Sequence, residues 1–120
     1  MENEWVARII LSVAMVGSGI LLIWLANAAA SGRLKRNHLA GIRIPSTLAS
    51  DEAWLAAHVR ARRSTISAGV VSLGSGALAL LPLPMPVITV GVLVVAVIAL
   101  GLVLYGARIG GAAARAVSER

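Results

Sequence analysis

The feature that most constrains this chain is a set of three long runs without a charged residue. They cover residues 9–30, 64–81 and 87–107. At 1.5 Å per residue, a helix through the first run is about 33 Å long, enough to cross the hydrocarbon core of a bilayer. The three runs therefore predict an all-α membrane protein with three transmembrane helices.

The composition also indicates a membrane domain. Hydrophobic residues make up 58% of the 120 residues and charged residues only 13%, against roughly 25% charged in soluble domains. The chain has no Phe, so a soluble core would lack the large side chains that usually fill it. It has no Cys, which excludes disulfides and thiol chemistry. We expect residues 1–120 to form a single membrane domain.

The two connections between the runs differ in kind. Residues 82–86 contain three prolines, which lack the backbone donor that a helix needs, and this predicts a turn. Residues 31–63 form a longer polar connection. A short juxtamembrane helix should begin in it at Ser50 or, if Thr47 is the N-cap, one turn earlier. Nothing interrupts this helix before the prolines, so we expect it to continue into the second transmembrane helix.

The distribution of basic residues predicts an orientation. Seven of the eleven Lys and Arg residues lie in residues 31–63 and three in residues 108–120, whereas one lies before the first run. Basic residues in short loops keep those loops in the cytoplasm. We therefore expect a plasma-membrane protein with its N-terminus outside and with the loop and the tail 108–120 in the cytoplasm. The same rule accounts for the net charge of +6, so no nucleic-acid partner is predicted.

Ion coupling, metal binding and catalysis are not favoured by the sequence. The three runs contain no ionisable side chain, which proton relays and coupled transporters require. His38, His58, Asp51 and Glu52 have no spacing typical of a zinc site, which needs at least three protein ligands. We predict no metal, no cofactor and no catalytic residue.

Pairs of small residues predict where the helices pack. Small residues four positions apart let the backbones of two helices approach closely in a membrane. Such pairs allow either a tight three-helix bundle or a homo-oligomer, without choosing between them. The pairs are Ala14 with Ser18, Ser72 with Gly76, and Gly106 with Gly110.

The candidate functional site is residues 41–58, which read Gly-Ile-Arg-Ile-Pro-Ser-Thr-Leu-Ala-Ser-Asp-Glu-Ala-Trp-Leu-Ala-Ala-His. Gly41 permits a left-handed backbone, and Pro45 forces the preceding residue into an extended conformation. Ser50 is a good N-cap, and Asp51 and Glu52 in the first turn favour the positive end of the helix dipole. The segment therefore predicts a shaped turn followed by a capped helix.

Each residue type in this segment has an expected role in binding. Arg43 would be the charged contact, Asp51 its partner or that of His58, and Trp54 with His58 the wall of the site. The alternative is that a helix cap, an interfacial Trp anchor and a hydrogen-bonded His have only local structural roles. The candidate residues are Gly41, Arg43, Pro45, Thr47, Ser50, Asp51, Glu52, Trp54 and His58.

The same segment resembles the signature of the SdpI family of small bacterial membrane proteins. That signature runs Gly-Ile-Arg-Thr-Pro-x-Thr-Leu, followed by an acidic pair, Trp and His; here Ile44 stands in place of the Thr. The name-giving member is larger, gives immunity to a secreted toxin and signals by holding a repressor at the membrane. The resemblance implies a non-enzymatic protein that binds a protein partner through its cytoplasmic motif. The alternative is a small accessory subunit of a larger membrane complex.

Overall fold

The computed structural model describes residues 2–120, and these residues contain no β-strand. The all-α prediction is therefore confirmed. The three long helices form an elongated bundle of 59 × 21 × 18 Å. The helices are α1 (Glu2–Ala30), α2 (Pro45–Leu48), α3 (Asp51–Leu78) and α4 (Met85–Ser118).

Helix α3 is the centre of the bundle and packs along both α1 and α4. As predicted, it runs without a break from the polar segment into the second uncharged run. Its buried face consists almost entirely of small residues, which let neighbouring helices approach closely. These residues include Ala57, Ala61, Thr65, Ala68, Gly69, Ser72, Ser75 and Gly76.

Helices α1 and α3 meet closely at a pair of glycines. A Cβ atom added to Gly19 would lie 2.6 Å from the carbonyl oxygen of Gly69, and one added to Gly69 would lie 2.8 Å from that of Gly19. A Cβ atom on Gly110 would likewise lie 2.8 Å from the carbonyl oxygen of Ala57. Only glycine permits these two backbone contacts, so they fix how α3 packs against α1 and α4.

Two of the three predicted small-residue pairs lie at helix interfaces. Ser72 and Gly76 are buried on α3, and Gly106 and Gly110 are buried on α4. The third pair, residues 14 and 18, is exposed on the outside of the bundle. Helix α1 uses its glycine at position 19 instead, because that position faces α3.

Two helices, rather than the predicted three, are long and apolar enough to cross a membrane. They span Asn3–Ala30 and Met85–Ser118, and only 17% of the most apolar part of each is buried inside the molecule. The remaining apolar side chains form an exposed apolar surface of the kind that marks contact with a membrane or with another protein. Helix α3 is not one of these two helices: it ends at Leu78, and its uncharged part, residues 64–78, is rich in Ser and Gly. That part is about 22 Å long.

Three helix ends lie beyond the uncharged runs. Helix α1 begins at Glu2, before the run that starts at residue 9. Pro86 lies in the first turn of α4, where its missing N–H has no helical partner to lose, so only Pro82 and Pro84 form the turn. The predicted tail 108–120 is helical to Ser118, which makes α4 about 51 Å long, far more than the hydrocarbon core requires.

A buried arginine fastens α1 to the turn between α3 and α4. Arg8 is only 6% exposed, and its guanidinium donates hydrogen bonds to the carbonyl oxygens of Leu81, at 2.7 Å, and Leu83. The guanidinium also lies 5.3 Å from the centre of the Trp5 ring. Because its guanidinium donates to backbone carbonyls, Arg8 has a structural role and is not merely a basic residue beside an apolar helix.

Candidate functional site

The turn at the start of the candidate site has the predicted shape. Gly41 has a φ of 108°, a conformation that other residues rarely adopt. Ile44 is extended, with φ −117° and ψ 162°, and Pro45 begins the short helix α2. The two positions that the sequence marked for special backbone geometry therefore have it.

Thr47 closes this turn rather than capping α3. Its side chain is fully buried. The hydroxyl donates to the carbonyl oxygen of Ile42 at 2.6 Å and accepts from the N–H of Ile44 at 3.2 Å. A single hydroxyl thus ties together both sides of the turn, and no methyl group could replace it.

Of the two predicted starts of helix α3, the structure has the one at Ser50. Ser50 is its N-cap, and the Ser50 hydroxyl accepts a hydrogen bond from the N–H of Ala53 at 3.0 Å. Asp51 and Glu52 lie in the first turn and are exposed. Their charges stabilise the positive helix end while their carboxylates remain open to solvent.

Trp54 and His58 are packed under the loop and do not form the wall of an open site. Their exposed fractions are 3% and 4%, and their ring centres are 4.3 Å apart. The indole Nε1 donates to the carbonyl oxygen of Leu34 at 3.0 Å. A Cβ atom on Gly41 would lie 2.6 Å from the Trp54 ring and 2.9 Å from His58 Nε2. The loop therefore lies directly on the two rings.

The hydrogen bonds of His58 define its charge state. Nε2 lies 2.9 Å from the N–H of Ile42 and so accepts, and Nδ1 lies 2.7 Å from the carbonyl oxygen of Trp54 and so donates. This pattern fits only a neutral imidazole. Burial lowers the pKa of His58 below its ordinary value of 6.5, outweighing the hydrogen bond to Trp54, which raises it. The ring is thus a neutral bridge between α3 and the loop.

A small cavity of about 170 Å³ borders the ring of His58. Its two polar side chains, His58 and Thr65, are already hydrogen-bonded, the second to the carbonyl oxygen of Ala61 at 3.1 Å. The cavity therefore continues the apolar interior of the bundle. It is lined by Leu22, Leu25, Ala26, Gly41, Ile42, His58, Ala61, Thr65 and Val103.

The charged candidates lie on the outside, and their pairing differs from the prediction. Asp51 pairs with Arg36, at 3.3 Å, and not with Arg43 or His58. Arg36 is positioned over the start of α3 by a hydrogen bond of 2.9 Å to the carbonyl oxygen of Leu48. Arg43 instead donates to the carbonyl oxygen of His38 at 2.6 Å. The sequence pattern did not contain this pairing because it depends on the path of the loop.

The C-terminal part of α4 supports the loop from below. A Cβ atom on Gly111 would lie 3.0 Å from Ile44 Cδ1, and one on Gly110 would lie 3.4 Å from Ile42 Cδ1. Ala114 packs with two alanines at the start of α3. Sequence reasoning treated this stretch as a tail, although its Gly and Ala residues are the same kind of signal that marked the other helix contacts.

The arrangement offers no evident metal site. Within the described part of the chain, no three His, Asp or Glu side chains are close enough to share an ion. His38 is exposed, whereas both nitrogens of His58 are occupied by the backbone. The exposed members of the site are instead Arg43, Pro45, Asp51 and Glu52.

Apolar helices beneath a folded polar loop define a small helical membrane protein. Residues 33–106 match the family model of the SdpI/YfhL protein family, and this match covers more than half of the chain. The protein therefore belongs to the SdpI/YfhL family. The matched range includes all of residues 41–58, which confirms the resemblance seen in that motif. No curated protein and no solved structure matches the chain.

Proposed function

We propose that this protein is a non-enzymatic, multi-pass plasma-membrane protein that binds a protein partner through the cytoplasmic surface of residues 41–58. The role implied by the family resemblance is toxin immunity or membrane signalling. One observation carries the proposal: the motif divides into buried residues that hold the loop and exposed, mostly charged residues that reach the solvent. Trp54 and His58 belong to the first group, and Arg43 and Glu52 to the second.

This division favours recognition because the exposed side chains stand on a pre-ordered backbone. A loop that is already fixed loses little conformational entropy when a partner binds. Arg is enriched in protein interfaces, and Arg43 is displayed in the turn that Thr47 closes. Leu39, in the same loop, is 89% exposed, which provides an apolar contact beside the charge.

A groove beside the motif has the composition of a protein interface. It has a volume of about 460 Å³ and lies between the first turns of α3 and the end of α4. Apolar side chains form its floor and charged ones its rim, which is the usual anatomy of a binding surface. Its floor is Leu55, Ala56, Val59, Ala113 and Val117, and its rim is Glu52, Arg60 and Arg120.

The proposed topology has three spans, with α3 as the second. Its lower hydropathy is compatible with a span because α1 and α4 cover it, so it needs less apolar surface toward lipid. Its buried hydroxyls donate within the helix: Thr65 to Ala61, Ser72 to Ala68 and Ser75 to Ser72. The basic residues of the loop and of residues 108–120 would then lie in the cytoplasm, with the N-terminus outside. A C-terminal fluorescent or phosphatase reporter tests this, and a reporter outside the cell contradicts it.

A paired substitution tests the binding role. Arg43→Ala should abolish the phenotype of the gene and the recovery of its partner, while the control Arg63→Ala should retain both. Both arginines are exposed, so neither variant should change the membrane level or the melting temperature appreciably. Arg43→Lys should restore little, because Lys lacks the planar fork of the guanidinium. Equal effects of positions 43 and 63 would contradict the proposal.

The accessory-subunit alternative is favoured by one observation on α1. Ala14 and Ser18 are exposed on the outside of the bundle, where a helix of another membrane protein could pack closely. If this role is correct, mild-detergent purification should yield a stoichiometric membrane partner that Arg43→Ala retains and Ala14→Leu loses. If instead Arg43→Ala loses the partner and Ala14→Leu retains it, recognition by the loop is supported.

A further inference from the structure

We propose that the groove between the end of α1 and the middle of α3 binds the phosphate of an anionic phospholipid headgroup. The groove has a volume of about 530 Å³ and is open to the surface. This proposal depends on the membrane location of the protein but not on any protein partner. The groove is lined by Asn27, Ala30, Ser31, Arg33, Val59 and Arg62.

The position of the groove matches the level of lipid headgroups. One wall is the end of α1, where the first uncharged run stops at Ala30. The other wall is α3 just before its uncharged part begins at Ser64. Trp24, about two turns deeper on α1, is 51% exposed, as is usual for Trp at a membrane interface. The groove therefore lies where both helices leave the hydrocarbon.

Two arginines in the groove are oriented but have no acidic partner. Arg62 Nε donates to Asn27 Oδ1 at 3.0 Å, and Arg33 Nε donates to Ser31 Oγ at 3.0 Å. In each case the bond leaves the two terminal nitrogens free to form a fork. Among the described side chains, the ion pairs involve Arg36 and Arg120, so no carboxylate neutralises the groove. Such a fork suits the oxygens of a phosphate.

An apolar depression next to the groove favours a lipid over a free anion. It has a volume of about 170 Å³ and is lined by Trp24, Ala28, Arg33 and Leu34. Because Arg33 borders both, a phosphate held there would have its glycerol and acyl chains directed toward the Trp24 side. A free phosphate would use only the charged half of this surface.

Lipid titration of the purified full-length protein tests the proposal. In zwitterionic micelles, bound phosphatidylglycerol and phosphatidylcholine are counted by native mass spectrometry. The protein should prefer phosphatidylglycerol by about thirtyfold, the scale expected for two arginines near an anionic headgroup. Arg33→Gln with Arg62→Gln should abolish this preference. Lys35→Gln with Arg63→Gln removes the same charge outside the groove, at two exposed positions, and should retain it.

Three results would overturn the proposal. Equal losses in the two double variants would indicate unspecific attraction to basic surface. Inorganic phosphate that stabilises the protein as strongly as phosphatidylglycerol would indicate a site for a free anion. If the groove double variant fails to fold, Arg33→Gln alone decides, because this exposed side chain bonds only its neighbour Ser31. Wild-type lipid preference in that variant would also contradict the proposal.

Discussion

The two ends of the bundle hold their connections with opposite chemistry. At the loop end, residues 31–58, the neutral side chains of Trp54 and His58 bind the backbone, and the arginines remain outside. At the turn end, residues 79–84, the buried guanidinium of Arg8 binds the backbone. The turn end thus buries its charge, whereas the charges of the loop end stay exposed even where they bond within the loop. Recognition is therefore expected at the loop end.

The largest expected effect tests the contact between the loop and its aromatic support. Gly41→Ala places a Cβ atom within 3 Å of both Trp54 and His58 and strains a positive φ, so it should destabilise the protein by about 3 kcal/mol. Gly32→Ala is the control: φ there is also positive, at 84°, but its surroundings are open. It should cost about 1 kcal/mol. Thermal unfolding in detergent measures both, and equal costs would show that the contact does not hold the loop.

The next effect concerns the turn end. Arg8→Gln should destabilise the protein by about 2 kcal/mol, because it leaves the carbonyl oxygens of Leu81 and Leu83 without a charged donor. Arg8→Lys should recover part of this loss. Arg108→Gln removes an exposed arginine and should change stability by less than about 0.5 kcal/mol. If positions 8 and 108 behave alike in thermal unfolding, the buried arginine has no special role.

The pH dependence of stability tests whether the loop is supported by a neutral His58. The pKa of His58 is lowered in the folded protein, so the unfolded chain takes up its proton first as the pH falls. Stability should therefore be full above the ordinary histidine pKa and decrease as the pH falls below it. His58→Gln should flatten this dependence, and His38→Gln, at an exposed site, should leave it intact. A pH profile of unfolding that is unchanged in His58→Gln would contradict the assignment.

The smallest effect is expected at the outer surface of the loop. Asp51→Asn breaks the ion pair between Asp51, which is 82% exposed, and Arg36, which is 39% exposed. Because exposed ion pairs contribute little, this substitution should change stability by less than about 1 kcal/mol. Added salt should reduce the difference further. A larger loss in thermal unfolding would mean that the exposed charges also hold the fold, which would weaken the division between buried support and exposed surface.

Local signals in the sequence predicted local features of the structure. Ser50 as N-cap, the positive φ at Gly41 and the extended residue before Pro45 follow from the chemistry of one or two residues. The uninterrupted α3 follows from the lack of a helix breaker. Most of the helical framework is therefore predictable from the sequence.

Features that depend on distant contacts were not predicted. Arg8 bonds to carbonyls more than seventy positions away, and no pattern near it marks that partner. Asp51 pairs with Arg36 because of the path of the loop. The burial of Trp54 and His58 depends on where the loop folds back. The sequence thus located the candidate site but did not show which of its side chains are buried and which are exposed.

The support that α4 gives to the loop has a consequence for biosynthesis. Gly110 and Gly111 lie against the side chains of Ile42 and Ile44, yet the ribosome makes them only after the whole of α3 and the turn. Because synthesis proceeds from the N-terminus, the loop remains without this support until α4 has inserted and joined the other helices. The surface around Arg43 is therefore complete only in a fully assembled molecule, and a half-inserted chain would not present it to a partner.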